Sequence, residues 1–465
     1  MILRNKKRVE GKLAFSHLLH SSFRPSFLPS IKSWEDMAMS GASIYRRSFL
    51  ALLLGVAGVL NAAGASQAQN GKFTEWGWPQ PYEKVSDKSV EWLKQKGWWP
   101  LQVAFQSPWS GQNNISIVMD KEGLLAKRGI EMKLTPFGSG PATNEVLVSG
   151  KVQVASAGNF PYTSLLDKEI PVKVIALITP NILHAVIVPL DSKIQSLADL
   201  KGANPPATIG IVTGSSAEFY FQMAAQVAGI KIGKDVILKN MPIGEQMALP
   251  KGIDAVVPWD AGASMIVQDR KNGRIVDSIY PYNMYEGNFV VRQELIDNVP
   301  DVVQALSDAY VESLLWTRRD LEGTVKHLQA DPSLKNFSKD ILVQQTRVYN
   351  ELYKPTFVYP HAKFWGQANE PIFNWLYELK RIQHPLKATD FEKSVDASFM
   401  DKTFAKLGWK VPATPPFIPV GWKGSLDKFP YPEYVTPLNL KQPQPFPEKG
   451  DLTKAWSFAG KTYDP

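Results

Sequence analysis

From residue 101 onward, short apolar runs alternate along the chain with segments in which apolar residues recur at helical spacing. The apolar runs predict strands at residues 101–105, 130–136, 152–156 and 172–178. The periodic segments predict helices at residues 115–127, 141–149 and 160–168. Strands that alternate with helices are typical of a mostly parallel sheet that is covered by helices.

A second series of the same kind occupies residues 190–280. It predicts strands at 208–212, 236–240, 253–257 and 275–279, and helices at 216–228, 244–250 and 261–270. Two extended runs, residues 185–188 and 288–292, stand before and after this series, and we expect them to cross between two lobes. Residues 294–410 are mainly helical and should return to the first lobe.

These patterns divide the chain into six predicted regions. They are a leader (1–68), an aromatic N-terminal arm (69–99), the first part of lobe 1 (100–184), lobe 2 (185–287), the helical second part of lobe 1 (288–410), and a Pro-rich C-terminal tail (411–465). The fold class is therefore α/β with two lobes.

The leader has the pattern of an export signal. Arg46 and Arg47 precede an uncharged run, residues 51–68, which is short for a membrane span and ends in small residues. This resembles a twin-arginine signal, although Tyr45 and Ala51 depart from the usual pattern and leave the ordinary secretory route open. An uncleaved membrane anchor is the alternative. The true start is Met1, Met37 or Met39, and export predicts a soluble periplasmic protein.

The charge of the chain is concentrated in that leader. The 465 residues carry 52 Lys and Arg against 44 Asp and Glu, a net charge of +8. Residues 1–68 hold nine Lys or Arg and three Asp or Glu, a net of +6, which leaves +2 for the rest. A nearly neutral body does not favour a nucleic-acid partner.

Several kinds of chemistry are excluded or unsupported by the residue types. The chain has no Cys, which excludes disulfides, thiolate metal sites, cysteine nucleophiles and a lipid-anchored N-terminal Cys. The six His are too scattered for a metal motif, so we predict neither metal nor cofactor. No nucleophile elbow or phosphate-binding loop is present, and we expect no enzyme activity, although a glycosidase-type carboxylate pair stays open.

Four loops at predicted strand ends carry the candidate ligand-binding residues. Open α/β sheets bind ligands at the carboxyl ends of their strands, where glycines allow close approach and helix N-termini present unpaired N–H groups. Such loops suit an anionic or oxygen-rich head group, with aromatic side chains as apolar walls. Each loop taken singly is also compatible with ordinary helix capping. The candidates are Gln106, Trp109, Gly138, Ser139, Gly140, Asn159, Phe160, Gly214, Ser215 and Ser216.

Three further candidates have two readings each. Glu218 stands three residues after Ser215, which fits a capping box, but a carboxylate facing the cleft would instead favour a ligand with a donor or a positive charge. Trp259 and Asp260 follow the predicted strand 253–257, where the Trp either packs in the core or lines the site. Asn283, Tyr285 and Glu286 precede the return crossing and rank lower.

The order of these segments resembles the periplasmic substrate-binding proteins of ABC importers for sulfonates, taurine and nitrate, in the broad family that includes binders of thiamine-pyrimidine precursors. Its carriers are residues 120–130 (DKEGLLAKRGI), 146–155 (VLVSGKVQVA), 197–202 (LADLKG), 214–217 (GSSA) and 252–260 (GIDAVVPWD). The resemblance implies a type II periplasmic-binding fold that closes over a ligand by hinge motion. It also implies that the loop before Pro141, the Gly158 loop and the start of helix 216–228 line the cleft.

We therefore expect a monomeric periplasmic protein that captures a small organic anion, such as a sulfonate, a taurine-like compound or an aromatic acid, and delivers it to an ABC permease. A binder of a pyrimidine or amine ligand, with Glu218 or Asp260 as the acceptor, is the first alternative. A secreted enzyme on the same fold and a periplasmic sensor partner are the others.

Overall fold

The computed structural model describes residues 78–109, 111–180, 182–280, 282, 284–352, 358–409 and 411, with two short strands near the C-terminus. The predicted leader, residues 69–77 of the predicted arm, Asn283 and most of the predicted tail lie outside the described residues. No helix within the described ranges is long and apolar enough to cross a membrane.

The strands of the described chain are numbered in chain order. They are β1 (Leu101–Gln106), β2 (Met132–Phe137), β3 (Val154–Gly158), β4 (Val172–Pro180), β5 (Ala185–Pro189), β6 (Ala207–Ile211), β7 (Val236–Asn240), β8 (Ala255–Val256), β9 (Gly273–Ser278), β10 (Glu286–Arg292), β11 (Trp456–Phe458) and β12 (Lys461–Tyr463).

The α-helices are α1 (Asp87–Gln95), α2 (Gln112–Lys121), α3 (Gly140–Val148), α4 (Asn159–Asp167), α5 (Ser216–Ala228), α6 (Ile243–Gln246), α7 (Gly262–Ser264), α8 (Gln293–Asn298), α9 (Pro300–Arg319), α10 (Leu321–Ala330), α11 (Lys339–Leu352), α12 (Ala362–Glu378), α13 (Ala388–Lys393) and α14 (Ser398–Lys406). Short 3-10 turns lie at Ala126–Arg128, Leu197–Leu200 and Pro332–Leu334, and a π-helical turn, Met265–Asp269, follows α7.

Two five-stranded sheets form the frame, in the orders β2-β1-β3-β10-β4 and β7-β6-β8-β5-β9. In the first sheet β1 is parallel to β2 and β3, and β10 is antiparallel to both of its neighbours. The second sheet repeats this arrangement, with β5 as its antiparallel strand. The predicted α/β fold with two parallel-rich sheets is confirmed. Below, lobe 1 is the first sheet with its helices and lobe 2 is the second.

The two runs expected to cross between lobes are β5 and β10. Each enters its sheet as the single antiparallel strand, and the crossing itself is made by the connections that precede them, from β4 to β5 and from β9 to β10. Both strands are almost entirely buried, which accounts for their continuous apolar character in the sequence.

Helix α5 shows how local signals position the site. Ser215 is its N-cap, and the Ser215 hydroxyl accepts a hydrogen bond from the backbone N–H of Glu218 at 3.3 Å. Gly229 ends the helix in the left-handed conformation, at φ 71°. The helix buries residues on most of its circumference, because it contacts both α4 of lobe 1 and the turn Leu197–Leu200 of lobe 2.

Two predicted helices of lobe 2 differ in the structure, one in length and the other in helical type. The segment 244–250 forms only the four residues of α6, since Leu249 takes a positive φ of 45° and Pro250 follows. The segment 261–270 forms the three residues of α7 and then a π-helical turn.

The described part of the N-terminal arm contains α1, although the sequence there has no clear periodicity. The Arg128 guanidinium lies 4.8 Å from the Trp78 ring and 4.9 Å from the Tyr82 ring. The same guanidinium pairs with Glu312 of α9 at 2.8 Å, and the Tyr82 hydroxyl donates to that carboxylate at 2.8 Å. These contacts attach this segment to lobe 1.

Candidate functional site

A small cavity lies where the two lobes meet, and we call it the central cavity. Its volume is about 10 Å³, which is room for one water molecule. Lobe 1, lobe 2 and both crossing connections contribute to its walls. The lining residues are Gln106, Gly140, Gly158, Pro161, His184, Ser215, Ser216, Trp259 and Tyr285.

Three helices begin at the central cavity. Helices α3 and α4 of lobe 1 start at Gly140 and Asn159, and α5 of lobe 2 starts at Ser216. The first turn of a helix has unpaired backbone N–H groups and the positive end of the helix dipole. The convergence of three such turns, from both lobes, makes this point attractive to an anion.

Two glycines allow the walls to approach this closely. A Cβ on Gly140 would lie 2.7 Å from Cγ of Pro161. A Cβ on Gly158 would lie 2.7 Å from the Tyr285 hydroxyl and 3.1 Å from the Ser216 hydroxyl. Any side chain at either position would therefore hold the walls of the cavity apart.

Direct hydrogen bonds hold the lobes together around the cavity. The Ser216 hydroxyl donates to Oδ1 of Asn159 at 3.0 Å, and the Trp259 indole N–H donates to the carbonyl oxygen of Pro108 at 2.8 Å. The Asn159 amide also donates to the carbonyl of Met284, on the connection between lobes, at 3.2 Å. Asn159 therefore joins lobe 1 to lobe 2 and to the crossing connection.

His184 and Tyr285 bring the two crossing connections into the cavity. Their ring centroids are 5.0 Å apart, and His184 is 2% exposed. Burial lowers the pKa of His184 to about 4, so the ring is neutral at pH 7. Nδ1 lies 3.1 Å from the carbonyl oxygen of Ile182, which can only accept. The proton is therefore on Nδ1, and Nε2 is an acceptor.

A comparison with models of known families finds one match for this chain. Residues 113–320 match the family model described as NMT1/THI5 like. The chain contains an NMT1/THI5-like domain. The five motifs that carry the family resemblance, from residues 120–130 to 252–260, all lie in the matched range, so the match agrees with the expected family over these residues. Among curated proteins, no significant match was found.

Solved structures with the same fold are periplasmic binding proteins. The alkanesulfonate-binding protein SsuA from Xanthomonas axonopodis pv. citri, bound to MOPS, is 17% identical with a TM-score of 0.53, and the match covers 64% of this chain and 97% of that one. The aliphatic sulphonate binding protein SsuA from Escherichia coli is 17% identical with a TM-score of 0.52, covering 65% and 98%. The nitrate-binding protein NrtA from Synechocystis PCC 6803 is 16% identical with a TM-score of 0.53, covering 67% and 89%.

Five of the candidate residues predicted from the sequence line the central cavity. They are Gln106, Gly140, Ser215, Ser216 and Trp259. Asn159 is buried beside them in the bond network described above. The hydroxyl of Ser215 is committed to its helix, because it accepts from Glu218 N–H and donates to the carbonyl of Val212 at 2.6 Å. The Ser216 hydroxyl donates to Asn159 across the cleft, so its proton becomes available to a ligand when the lobes separate.

Other predicted residues do not line the central cavity. Trp109 is fully buried and packs against Gly287, so its ring does not form a wall of the cavity. Gly138 is exposed, and Ser139 is the N-cap of α3 but makes no side-chain capping bond.

Phe160 stacks on Phe219 at 5.6 Å between ring centroids. Phe160 and Gly214 line a second, larger cavity beside the first.

Glu218 has the structural role in the NMT1/THI5-like domain. One carboxylate oxygen accepts from the N–H of Gly214 at 2.6 Å, one residue before the cap, and the other accepts from Gln222 at 2.7 Å. The Arg381 guanidinium, from lobe 1, lies 3.5 Å from the second oxygen. Both oxygens are engaged, and the side chain lies outside the lining of the central cavity.

Asp260 also lies behind the cavity rather than in its wall. One of its oxygens accepts from the Ser264 N–H at 3.0 Å and the Ser264 hydroxyl at 2.8 Å. Burial raises the pKa of Asp260 to about 6, because water no longer stabilises the charged form.

Sequence reasoning missed His184 and ranked Tyr285 low. The available signal was position, since His184 directly precedes the predicted crossing run 185–188 and Tyr285 lies three residues before the run 288–292. Within the described ranges, no three His, Cys, Asp or Glu side chains are grouped so that they could hold a metal ion.

Proposed function

We propose that this protein is the solute-binding component of an ABC importer, which captures a small organic anion between its lobes and delivers it to a membrane permease without chemical change. A sulfonate, a taurine-like compound or an aromatic acid is the ligand class we favour. The observation that carries this proposal is the convergence of the α3, α4 and α5 N-termini, from both lobes, on the central cavity.

The charge of the lining supports an anionic ligand held by backbone groups. Among the described lining residues there is no Lys, Arg, Asp or Glu, so attraction comes from the N–H groups of three helix starts. The Ser216 hydroxyl is the natural additional donor. An amine-bearing ligand gains no support, because neither Glu218 nor Asp260 belongs to the lining.

Ligand entry requires that the lobes separate. A volume of about 10 Å³ cannot admit an organic anion, and the Ser216–Asn159 and Trp259–Pro108 bonds hold the cleft shut. The β4–β5 and β9–β10 connections are the hinge in this account. Closure then replaces the water around the ligand by fixed N–H groups.

The cellular setting follows from the leader and belongs to the same proposal. Residues 1–68 would direct a monomer into the periplasm, by the twin-arginine route or the ordinary secretory route. There the closed, loaded form would meet its permease in the inner membrane.

Calorimetry with Ser216→Ala tests the proposal. We expect hexanesulfonate or benzenesulfonate to bind the native protein, and the substitution to weaken binding by about 1 to 3 kcal/mol because a charge-assisted hydrogen bond is lost. Ser398→Ala is the matched control, since its exposed hydroxyl bonds Asp396 far from the cleft. Equal affinities in both variants would remove the Ser216 hydroxyl from the site, and absence of binding to the native protein would reject the anion class.

A further inference from the structure

A second cavity adjoins the central one, and we call it the side cavity. Its volume is about 550 Å³, within the range of small-molecule sites. The facing sides of α3 and α4 form its length, and the two cavities share Pro161. The other lining residues are Pro141, Asn144, Glu145, Val148, Ser149, Phe160, Ser164, Leu165, Lys168, Gly214 and Arg381.

The side cavity has a definite long axis. Arg381 marks the end nearest the cleft, because its guanidinium is 3.5 Å from Glu218 in the first turn of α5. Lys168 lies at the other end, directly after the last residue of α4. Lys168 is seven residues beyond Pro161, a rise of about 10 Å along a helix. The cavity is therefore an elongated slot that starts at the ligand cleft.

The walls of the slot combine apolar surface with one oriented acceptor. Phe160, Leu165 and Val148 supply apolar surface. Asn144 is 9% exposed, and its Nδ2 donates to the carbonyl of Pro161 at 2.7 Å, which fixes the amide orientation. Its Oδ1 is buried without a hydrogen-bond partner among the described residues. A buried unpaired carbonyl oxygen favours a ligand that brings a donor.

The geometry points to an elongated amphipathic organic anion as the ligand. Its acidic head would lie at the cleft, against the helix starts and Arg381, and its alkyl or aryl body would fill the slot between α3 and α4. A hydroxyl or amine on that body would donate to Asn144. This inference rests on the proposed function and narrows its ligand class, because a compact anion would leave the slot unfilled.

A series of alkanesulfonates, from ethanesulfonate to octanesulfonate, tests the inference by calorimetry. Affinity for the native protein should rise about threefold to fourfold per added methylene group while the chain fills the slot. Ser164→Trp places a large side chain in the slot and should remove the dependence on chain length, while ethanesulfonate binds as before. Val227→Trp, at a position 55% exposed and outside both cavities, is the matched control and should keep the dependence.

The outcomes distinguish a failure of the slot as a subsite from a failure of the proposed function. If every chain length binds the native protein equally, the slot is not a subsite, and the proposed function stands. If the dependence persists in Ser164→Trp, the alkyl chain lies elsewhere and the inference is overturned. If no sulfonate binds at all, the proposed function fails and the inference with it. Should Ser164→Trp lower the melting temperature sharply, Val148→Trp, at a position 46% exposed, fills the slot from α3 instead.

A pair of ligands tests whether Oδ1 of Asn144 accepts a hydrogen bond from the ligand. 4-Hydroxybenzenesulfonate should bind about threefold to tenfold more tightly than benzenesulfonate, since its hydroxyl can reach an unpaired oxygen. Asn144→Leu should remove this preference. A preference that is absent from the native protein, or retained in Asn144→Leu, would contradict the assignment of Asn144.

Discussion

The two lobes share one strand arrangement but differ in the helices laid on it. Lobe 1 connects its strands with α3 and α4, each of nine residues, whereas the corresponding connections of lobe 2 hold α6, of four residues, and α7, of three residues continued by the π-helical turn Met265–Asp269. Long parallel helices leave a slot between them and bring two N-termini to the cleft. Lobe 2 reaches the cleft mainly through the start of α5 and through Trp259. We therefore expect lobe 1 to recognise the ligand and lobe 2 to close over it.

The sequence explains this asymmetry locally. Helix α6 is confined between Pro242, its N-cap, and Pro250. It packs tightly on α7, since a Cβ on Gly262 would lie 2.8 Å from Cγ2 of Ile243. Lobe 2 therefore has little room between α6 and α7, whereas lobe 1 has the side cavity between α3 and α4.

The largest effect is expected from Gly158→Ala in lobe 1. The added Cβ meets the Tyr285 and Ser216 oxygens and should hold the lobes apart, at a cost of about 1 to 3 kcal/mol in binding of hexanesulfonate. Gly244→Ala in lobe 2 is the control, because its Cβ would have no heavy atom within 4 Å. Calorimetry that finds the same affinity in both variants would contradict the assignment of the cleft.

A pH series compares one buried carboxyl in each lobe. Burial raises the pKa of Glu286, in lobe 1, to about 8, and that of Asp277, in lobe 2, to about 6. A raised carboxyl pKa gives stability that is complete below the unfolded pKa and is lost as pH rises to the folded pKa. The loss of stability through Asp277, and through Asp260 of the same lobe, should therefore be complete near pH 6, whereas the loss through Glu286 continues to about pH 8.

Urea unfolding from pH 6 to 8 measures this difference. Glu286→Gln should flatten the decline, because the amide cannot ionise, while Asp277→Asn should decline in that window as the native protein does. A decline that is unchanged in Glu286→Gln would show that another group titrates there.

The smallest effect concerns the helix caps. The Ser215 hydroxyl caps α5 of lobe 2, whereas Ser139 makes no side-chain bond at the start of α3 in lobe 1. Ser215→Ala should lower the free energy of unfolding by about 1 kcal/mol, and Ser139→Ala should leave it nearly unchanged. Denaturant titration checks both, and equal losses would reject the distinction.

Much of the frame follows from local signals in the sequence. Gly150 and Gly229 mark helix ends, Ser215 marks a helix start, and apolar runs such as 172–178 mark strands that are buried on both faces. These signals act over a few residues, so the fold class and the loops around the cleft could be predicted. Helix α1 was missed although local signals for it are present, since Ser86 is its N-cap and Ser89 and Leu93, four residues apart, are buried on one face.

The candidate site was predicted only in part, because its lining depends on how distant segments pack. Trp109 was expected to form a wall, but it fills the space that Gly287 leaves on the neighbouring strand. His184 enters the cavity through the crossing of the chain, which sequence spacing does not reveal. The side cavity depends on the gap between two helices, and no local pattern encodes that gap.

The most direct test of the account is the distance between the lobes with and without ligand. The chain has no Cys, so K133C on edge strand β2 of lobe 1 and I237C on edge strand β7 of lobe 2 provide unique spin-label sites. With saturating hexanesulfonate, pulsed electron resonance should show the inter-lobe distances collapse to one short, narrow population, while K133C with K151C, both in lobe 1, stays constant. Hexanesulfonate that binds by calorimetry but leaves the inter-lobe distances unchanged would contradict capture between the lobes.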